Sequence, residues 1–225
     1  MSKKLIGGGI VLALVLAAGA YFMLSGGNYE KGYRYIGIET EFGTMEVKLY
    51  NSTPQHRDNM VKLASEGFYD DLLFHRVIQS FMAQGGDPES RGADPNKPLG
   101  QGGPGYTIPA EIGALHVKGA LSAARTSDNV NPQKRSSGSQ FYVVQGAPMN
   151  DAELAQVEQN RGFKYTDAQR DLYKTLGGTP FLDNEYTVFG EVVKGLDLID
   201  KICAVQTKAG DRPVEDLKMK VWVIK

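Results

Sequence analysis

Residues 74–87 read FHRVIQSFMAQGGD and form the most informative segment of the chain. They continue an apolar run over Leu72–Ile78 that contains only two polar residues, a pattern that predicts a strand. A Gly-Gly-Asp-Pro sequence follows at 85–88, and the chain stays rich in glycine, proline, asparagine and aspartate up to residue 105, which predicts a long loop. Arg76 is therefore expected to lie inside an apolar strand, next to a loop.

Further strands are predicted on both sides of this segment, because apolar and polar residues alternate there. Residues 35–49 give a hairpin around Gly43-Thr44, and the last strand covers Lys218–Ile224 with Val221 and Val223 facing inward. Shorter strands are predicted over residues 119–124 (GALSAA), 140–145 (QFYVVQ) and 186–193 (YTVFGEVV).

Two helices are predicted between these strands. The first has Thr53 as its N-cap, Pro54 at its first position and Gly67 at its end. The second is a short amphipathic helix over Leu198–Cys203. Many short strands with few helices are typical of a closed barrel whose ends are covered by helices.

Residues 150–178 differ in character from the strands around them. Asn150 with Glu153, and Thr166 with Gln169, have the spacing of a capping box, and a Gly-Gly pair ends the second run at 177–178. We therefore predict two short helices inserted into a β-rich domain.

The composition argues against several classes of function. Lysine and arginine number 25 and aspartate and glutamate 26, so the net charge of −1 gives no basic excess for binding nucleic acid. Cys203 is the single cysteine, which excludes an intramolecular disulfide and a zinc site built on thiolates. The three histidines lack the spacing of metal ligands, so we expect no metal and no cofactor.

The N-terminal residues predict a membrane segment. Two lysines lie within residues 1–4, and residues 5–24 carry no charge, which is the length that crosses a bilayer. The lysines favour a cytoplasmic N-terminus and export of the rest. We therefore expect residues 1–27 to be an uncleaved membrane anchor and residues 28–34 a linker. A domain over residues 35–225 then faces the periplasm or the exterior. The alternative is a signal peptide with its cleavage site at Ala18-Gly19-Ala20, which would release a secreted or periplasmic protein.

Four segments together resemble the cyclophilin family of peptidyl-prolyl cis/trans isomerases. They are FHRVIQSFMAQGGD at 74–87, GALSAAR at 119–125, SSGSQFYVV at 136–144 and FLDNEYTVFGEVV at 181–193, in the family's order and with family-like spacing. The resemblance implies a mainly β fold: an eight-stranded antiparallel barrel capped by two helices, with a proline-binding groove on its outer surface. The inserted helical segment 150–178 and an N-terminal apolar helix would be additions to that barrel.

The resemblance also implies the residues of the site. Arg76 matches the family's catalytic arginine, and Gln84 and Gln140 match polar groups that bind the substrate backbone. The apolar walls of the proline pocket match Phe81, Met82, Tyr142 and Leu182, and the strand edge along which the peptide lies matches Ala124, Arg125 and Thr126.

Three positions depart from the residues that are common in the family. Phe181 stands where many members carry tryptophan, Tyr186 where many carry histidine, and Arg125 where asparagine is common. We still place all three in the substrate-binding site. The departures predict an altered inhibitor response and substrate preference, while Arg76 is retained.

The resemblance implies an enzyme that rotates X–Pro bonds of proline-containing polypeptides. Together with the predicted export, it predicts that the protein assists the folding of exported proteins, and we expect a monomer. Two alternatives stay open: a proline-directed binding module, and a membrane-bound scaffold whose inserted helices recruit a partner. Arg76 favours the isomerase, although it also has a simpler interpretation as the partner of Glu111 or of a nearby aspartate in an ion pair. His75 is expected to be a structural histidine that shares hydrogen bonds within the barrel.

Overall fold

The computed structural model describes residues 29–224, and the predicted membrane anchor over residues 1–27 lies outside the described residues. The chain divides into two units, Met1–Gly32 and Tyr33–Lys225. All helices and strands described below belong to the second unit. Within residues 29–224 no helix is long and apolar enough to cross a bilayer. The boundaries predicted for the linker stay predictions.

Ten strands are present in the described part of the chain. They are β1 (Arg34–Thr40), β2 (Gly43–Leu49), β3 (Leu72–Ile78), β4 (Met82–Gly85), β5 (Thr107–Ile108), β6 (Ala120–Ala123), β7 (Ser136–Ser137), β8 (Phe141–Val144), β9 (Val188–Lys194) and β10 (Lys218–Ile224). Eight of them close a barrel in the order β1-β10-β3-β4-β8-β6-β9-β2, and every neighbouring pair is antiparallel. The small strands β5 and β7 pair separately. The predicted eight-stranded antiparallel barrel is confirmed.

Two helices bury their apolar faces against the barrel core, as predicted. Helix α1 (Pro54–Ser65) contributes Met60 and Leu63, and a short helix over Leu198–Cys203, α4, contributes Ile199 and Ile202. Thr53 is the N-cap residue of α1, but its hydroxyl lies 3.4 Å from the carbonyl of Tyr50 and makes no capping hydrogen bond. Its backbone (φ −123°, ψ 63°) lies outside the usual N-cap conformation, so the side chain does not reach the helix amides.

The inserted segment contains the two predicted helices, α2 (Asp151–Arg161) and α3 (Asp167–Thr175). Both capping boxes are present. The segment returns to the barrel at Gly178, which bridges to Val117 and Ala147. Gly178 has φ +154°, and a Cβ there would overlap the backbone of His116, so only glycine fits this close approach.

Alternation along the strands produces two apolar clusters on opposite faces of the same sheet. Inward-facing side chains such as Val77, Ala83 and Val143 belong to the large barrel core. Their neighbours in sequence point outward and form a second cluster, whose buried members are Met82, Ala120, Ala124, Tyr142, Val144 and Val188. This outer cluster lies on the side of the barrel where the resemblance implies the proline-binding groove.

Candidate active site

Arg76 reaches the outer face of the barrel because the pairing of β3 with β4 shifts register between Phe74 and Arg76. In a regular strand, residues 74 and 76 would point to the same side. Here Phe74 is fully buried in the core, whereas the side chain of Arg76 is 42% exposed. A strand irregularity of this kind re-aims a side chain and is common beside active sites.

Arg76 begins a row of directly paired residues across three strands. It pairs with Gln84, and Gln84 pairs with Tyr142. Opposed residues share a face of the sheet, so all three point outward. Gln84 Nε2 donates to Gln140 Oε1 at 3.0 Å, and Gln140 Nε2 donates to the carbonyl of Gly102 at 2.7 Å. The structure therefore brings the two predicted glutamines together, and Gln140 also holds the adjoining loop.

The outer cluster forms an apolar surface beside this row, which we call the proline pocket because the resemblance implies the proline-binding groove on this side of the barrel. Met82 and Tyr142 are buried within it, and Phe81, Leu182 and Tyr186 are partly buried and pack against it. The rings of Tyr142 and Tyr186 meet edge to face with centroids 6.1 Å apart. All five residues were predicted from the sequence to bind substrate, and they are neighbours in the fold. A pocket lined in this way suits a proline ring.

Phe181 lies at the rim of this pocket. Its ring centroid is 5.7 Å from that of Phe81, and 44% of the residue is exposed. A phenylalanine in this position keeps apolar contact with the pocket and offers no hydrogen-bond donor.

The predicted peptide edge follows β6. The N–H of Ala124 donates to the carbonyl of Gln140 at 3.0 Å, and its carbonyl accepts from the N–H of Ser137 at 2.8 Å. The main-chain N–H and carbonyl of Arg125 have no partner among residues 29–224. Arg125 therefore presents the backbone groups with which an extended peptide can pair, and Thr126 continues the same edge.

The side chain of Arg125 does not project freely from this edge. Its Nε donates to the carbonyl of Glu185 at 3.0 Å and its Nη1 to Asp128 at 2.5 Å. The guanidinium carbon lies 4.4 Å from the ring centroid of Tyr186, which is a cation–π contact. Two of the three departures from the family pattern, Arg125 and Tyr186, are thus in direct contact.

Of the two partners that the simpler interpretation allows for Arg76, the structure shows the aspartate. Arg76 Nε donates to Asp211 Oδ2 at 3.3 Å, so an aspartate partner exists. Glu111 instead accepts from the backbone and ring of His56, with Oε2 2.6 Å from His56 Nδ1. The Arg76–Asp211 pair is 42% and 45% exposed, so it contributes at most about 1 kcal/mol to stability. Arg76 Nη1 and Nη2 have no partner within the described chain.

Comparison with known proteins gives the family. A sequence model of the family described as cyclophilin type peptidyl-prolyl cis-trans isomerase/CLD matches residues 35–223. The chain belongs to the cyclophilin-type peptidyl-prolyl cis-trans isomerases. A Staphylococcus aureus (strain COL) protein that is named as a peptidyl-prolyl cis-trans isomerase is 33% identical over 194 residues, which cover 84% of this chain and 90% of the relative. One from Staphylococcus haemolyticus (strain JCSC1435) is 34% identical over 183 residues, covering 81% and 86%.

Solved structures agree with this cyclophilin fold. A crystal structure of a Cryptosporidium parvum cyclophilin-type peptidyl-prolyl cis-trans isomerase superposes with a TM-score of 0.62 at 21% identity, covering 86% of this chain and 98% of that one. A second, determined in the presence of the dipeptide Ala-Pro, gives a TM-score of 0.61 at 22% identity and covers 85% and 99%. The chain is therefore a peptidyl-prolyl isomerase by family, and its barrel is the cyclophilin barrel.

A buried polar network in this cyclophilin was not predicted. Asp183, 2% exposed, accepts from the backbone N–H and the ring Nδ1 of His116, each at 2.8 Å. Its other oxygen accepts from Tyr165 at 2.6 Å and from Tyr173 at 2.5 Å. His116 Nε2 lies 3.1 Å from the hydroxyl of Tyr142, in the pocket wall. Because Asp183 fixes the proton on Nδ1, Tyr142 donates to Nε2.

This network connects the inserted segment to the proline pocket. Tyr165 lies between α2 and α3, and Tyr173 lies on α3. Burial is the main cause that raises the pKa of both phenols, and the Asp183 carboxylate raises it further, so both stay protonated donors. The spacing of these residues in the sequence does not indicate that they form one network, because they come from separate segments of the chain.

The expectation for His75 is wrong in one respect. The residue is buried, but neither ring nitrogen has a hydrogen-bond partner among residues 29–224. Burial lowers the pKa of His75 to about 4, so the ring is neutral near pH 7. His75 lies at the strand irregularity that turns Arg76 outward. Over the same residues no group of histidine, cysteine and acidic side chains has the arrangement of a metal site.

Proposed function

We propose that Arg76 is the catalytic residue of this isomerase and that it acts on the nitrogen of the rotating X–Pro bond. The observation that carries the proposal is a half-exposed guanidinium beside an apolar pocket, with Nη1 and Nη2 unpaired within residues 29–224. Asp211 holds only Nε, so the outer edge of the guanidinium is available to a substrate.

The chemistry of rotation explains why such a group is sufficient. Amide resonance creates a barrier of about 18–20 kcal/mol, and no covalent bond between heavy atoms breaks during rotation. In the twisted transition state the prolyl nitrogen becomes pyramidal and gains a lone pair. A fixed cationic donor stabilises this state more than the planar amide, which is what catalysis requires. Arginine suits the role because its charge is permanent and its donors lie in a rigid plane.

The apolar pocket and the edge strand supply binding and orientation. Phe81, Met82 and Tyr142 would surround the proline ring and exclude water, which strengthens the interaction with Arg76. The free backbone groups of Arg125 would pair with the peptide on the other side of the ring. The Cryptosporidium parvum structure determined with Ala-Pro supports a proline-containing peptide as the substrate class.

Turnover by the full-length chain tests this proposal against a binding module. In a protease-coupled assay on a peptide with an Ala-Pro bond, we expect the slow phase, roughly 10–100 s without catalyst, to shorten with enzyme concentration. Binding of the peptide without acceleration would favour the proline-directed module. If the peptide is neither bound nor isomerised faster, both the isomerase and the binding-module interpretations are contradicted.

We further propose that the isomerase domain lies outside the cytoplasm and assists the folding of exported proteins. The support is the uncharged run over residues 5–24 behind two lysines, which suits an uncleaved anchor. The protein should fractionate with membranes, resist alkaline extraction and be digested by protease added from the non-cytoplasmic side. A mature N-terminus at Tyr21 would replace the anchor with a cleaved signal peptide, and protection from external protease would contradict export.

A further inference from the structure

A cavity of about 640 Å³ opens beside Arg76, between the loop at residues 95–101 and the loop at residues 208–212. Its lining includes five cationic side chains, those of Arg76, Lys97, Arg125, Lys208 and Arg212, and no carboxylate. We call it the cationic cavity. It shares Gln84 and Arg125 with a second cavity of about 570 Å³ along the predicted peptide edge, so it adjoins the substrate groove.

The carboxylates that pair with these cations are not part of the lining. Lys97 is 3.0 Å from Glu89, and Arg76 is 3.3 Å from Asp211, yet neither acidic residue lines the cavity. Both pairs are largely exposed, so their mutual attraction is weak and another anion can compete for the cations.

Lys208 differs from Lys97 and Arg76 because no carboxylate partner balances its charge among the described residues. It donates to the carbonyl of Pro95. A carbonyl provides a dipole but no counter-charge. Lys97 and Lys208 therefore provide two flexible ammonium groups on opposing loops of the cationic cavity.

The deeper wall carries polar atoms that the fold does not satisfy. The side chain of Arg212 is 7% exposed and donates to the carbonyl of Asp94 at 2.9 Å and to Asp216 at 2.9 Å, but its Nε has no partner within residues 29–224. His75, also in the lining, has two unpartnered ring nitrogens and is neutral near pH 7.

We propose that the cationic cavity is a subsite for an acidic side chain of the substrate, on a residue close to the X–Pro bond. The inference rests on the proposed isomerase function and names a substrate preference for it. An extended chain advances about 3.3–3.6 Å per residue, so an aspartate or glutamate within about three residues of the bond reaches a cavity that starts at Arg76. Its carboxylate would meet Lys97 and Lys208 first, with the Arg212 wall behind them.

Paired peptides test the preference on the full-length enzyme. A series with glutamate in turn at each of three positions on either side of Ala-Pro is compared with the same series carrying glutamine. We expect one position at which kcat/KM for the glutamate peptide is about threefold to tenfold higher, the range given by one or two partly exposed charge pairs. The preference should fade as ionic strength rises from about 0.01 M to about 1 M, because the Debye length falls from about 30 Å to about 3 Å.

Two double variants locate the effect. Lys97→Gln/Lys208→Gln should bring the glutamate-to-glutamine ratio close to one. Lys62→Gln/Lys201→Gln removes the same two charges from outside the cavity, and Lys201 forms an ion pair with Asp197 much as Lys97 does with Glu89. This control should keep the wild-type ratio. An equal loss in both variants would show a general charge effect and overturn the subsite.

Binding of the same peptides, followed by chemical-shift changes, separates this inference from the isomerase function. Catalysis without any glutamate preference would overturn the subsite and leave the isomerase intact. A glutamate preference in binding without catalysis would support the subsite and overturn the catalytic proposal. Absence of both binding and catalysis would overturn the two together.

Discussion

Replacing Asp183 by alanine tests how far the inserted segment supports the proline pocket. The carboxylate is buried and accepts four hydrogen bonds: two from His116, one from Tyr165 and one from Tyr173. Tyr165 also reaches the carbonyl of Pro180 at 3.2 Å, so its hydroxyl keeps an acceptor in the variant. The other three donors lose theirs.

The expected cost follows from these three donors. A buried donor left unsatisfied costs about 1–3 kcal/mol, and breaking a buried charged network by removing one partner costs about 3–5 kcal/mol in total after relaxation. We expect Asp183→Ala to lower the free energy of unfolding by about 3–5 kcal/mol, a large part of the about 5–15 kcal/mol typical of a domain. Tyr173→Phe removes one donor and should cost about 1 kcal/mol.

Denaturant unfolding of the full-length chain measures both costs. Asp183→Asn is a further variant of the same residue. It preserves the size of the side chain and one acceptor for His116, so it should stay folded even if Asp183→Ala does not. The network also holds Tyr142 and the adjoining Leu182, so the asparagine variant should raise KM for an Ala-Pro peptide more than it lowers kcat. A loss below about 1 kcal/mol for Asp183→Ala, the value of an ordinary surface contact, would refute the account of the network.

Two further predictions concern single residues. In cyclophilins that carry tryptophan at the position of Phe181, the indole N–H points toward the bound inhibitor cyclosporin, and phenylalanine offers no such donor. A polar group of the inhibitor that loses its partner costs about 1–3 kcal/mol, so cyclosporin should inhibit the wild type about fivefold to a hundredfold less well than Phe181→Trp. Inhibition curves decide this, and equal curves would contradict it. His75 has a pKa of about 4 when folded and about 6.5 when unfolded. The unfolded state therefore takes up the proton first, and stability falls by about 3 kcal/mol as pH drops through that window. Urea unfolding at several pH values should show that acid lowers the free energy of unfolding less in His75→Gln than in the wild type. The same pH dependence in both proteins would contradict the lowered pKa of His75.

Most of the barrel could be predicted from local sequence. An apolar run predicts β3 and alternation predicts β10, both with the bounds that the structure has, and capping boxes predict α2 and α3. Strand β4 was not predicted from the pattern, because four residues that end on Gly85 give too short an alternation to recognise. Its presence followed only from the family resemblance.

The arrangement of the candidate site could be predicted where its residues are close together in the sequence, and not where distant segments meet. Phe81, Met82 and Gln84 lie within one short segment and face the groove together. The bulge that turns Arg76 outward depends on the register of two strands, which local sequence does not encode. His116 and Asp183 are 67 residues apart, so only the closed barrel and the returning insertion bring them together.

The isomerase rate of Arg76→Ala tests the central claim most directly. The Arg76–Asp211 pair is largely exposed, so the variant should remain folded. We expect its kcat on an Ala-Pro peptide to fall by about 10²–10³, the usual effect of removing one preorganised donor, and Arg76→Lys should recover little of it. Arg57→Ala, which removes another arginine whose Nε donates to an aspartate, is the matched control and should keep the wild-type rate. A folded Arg76→Ala protein with the wild-type rate would contradict the account.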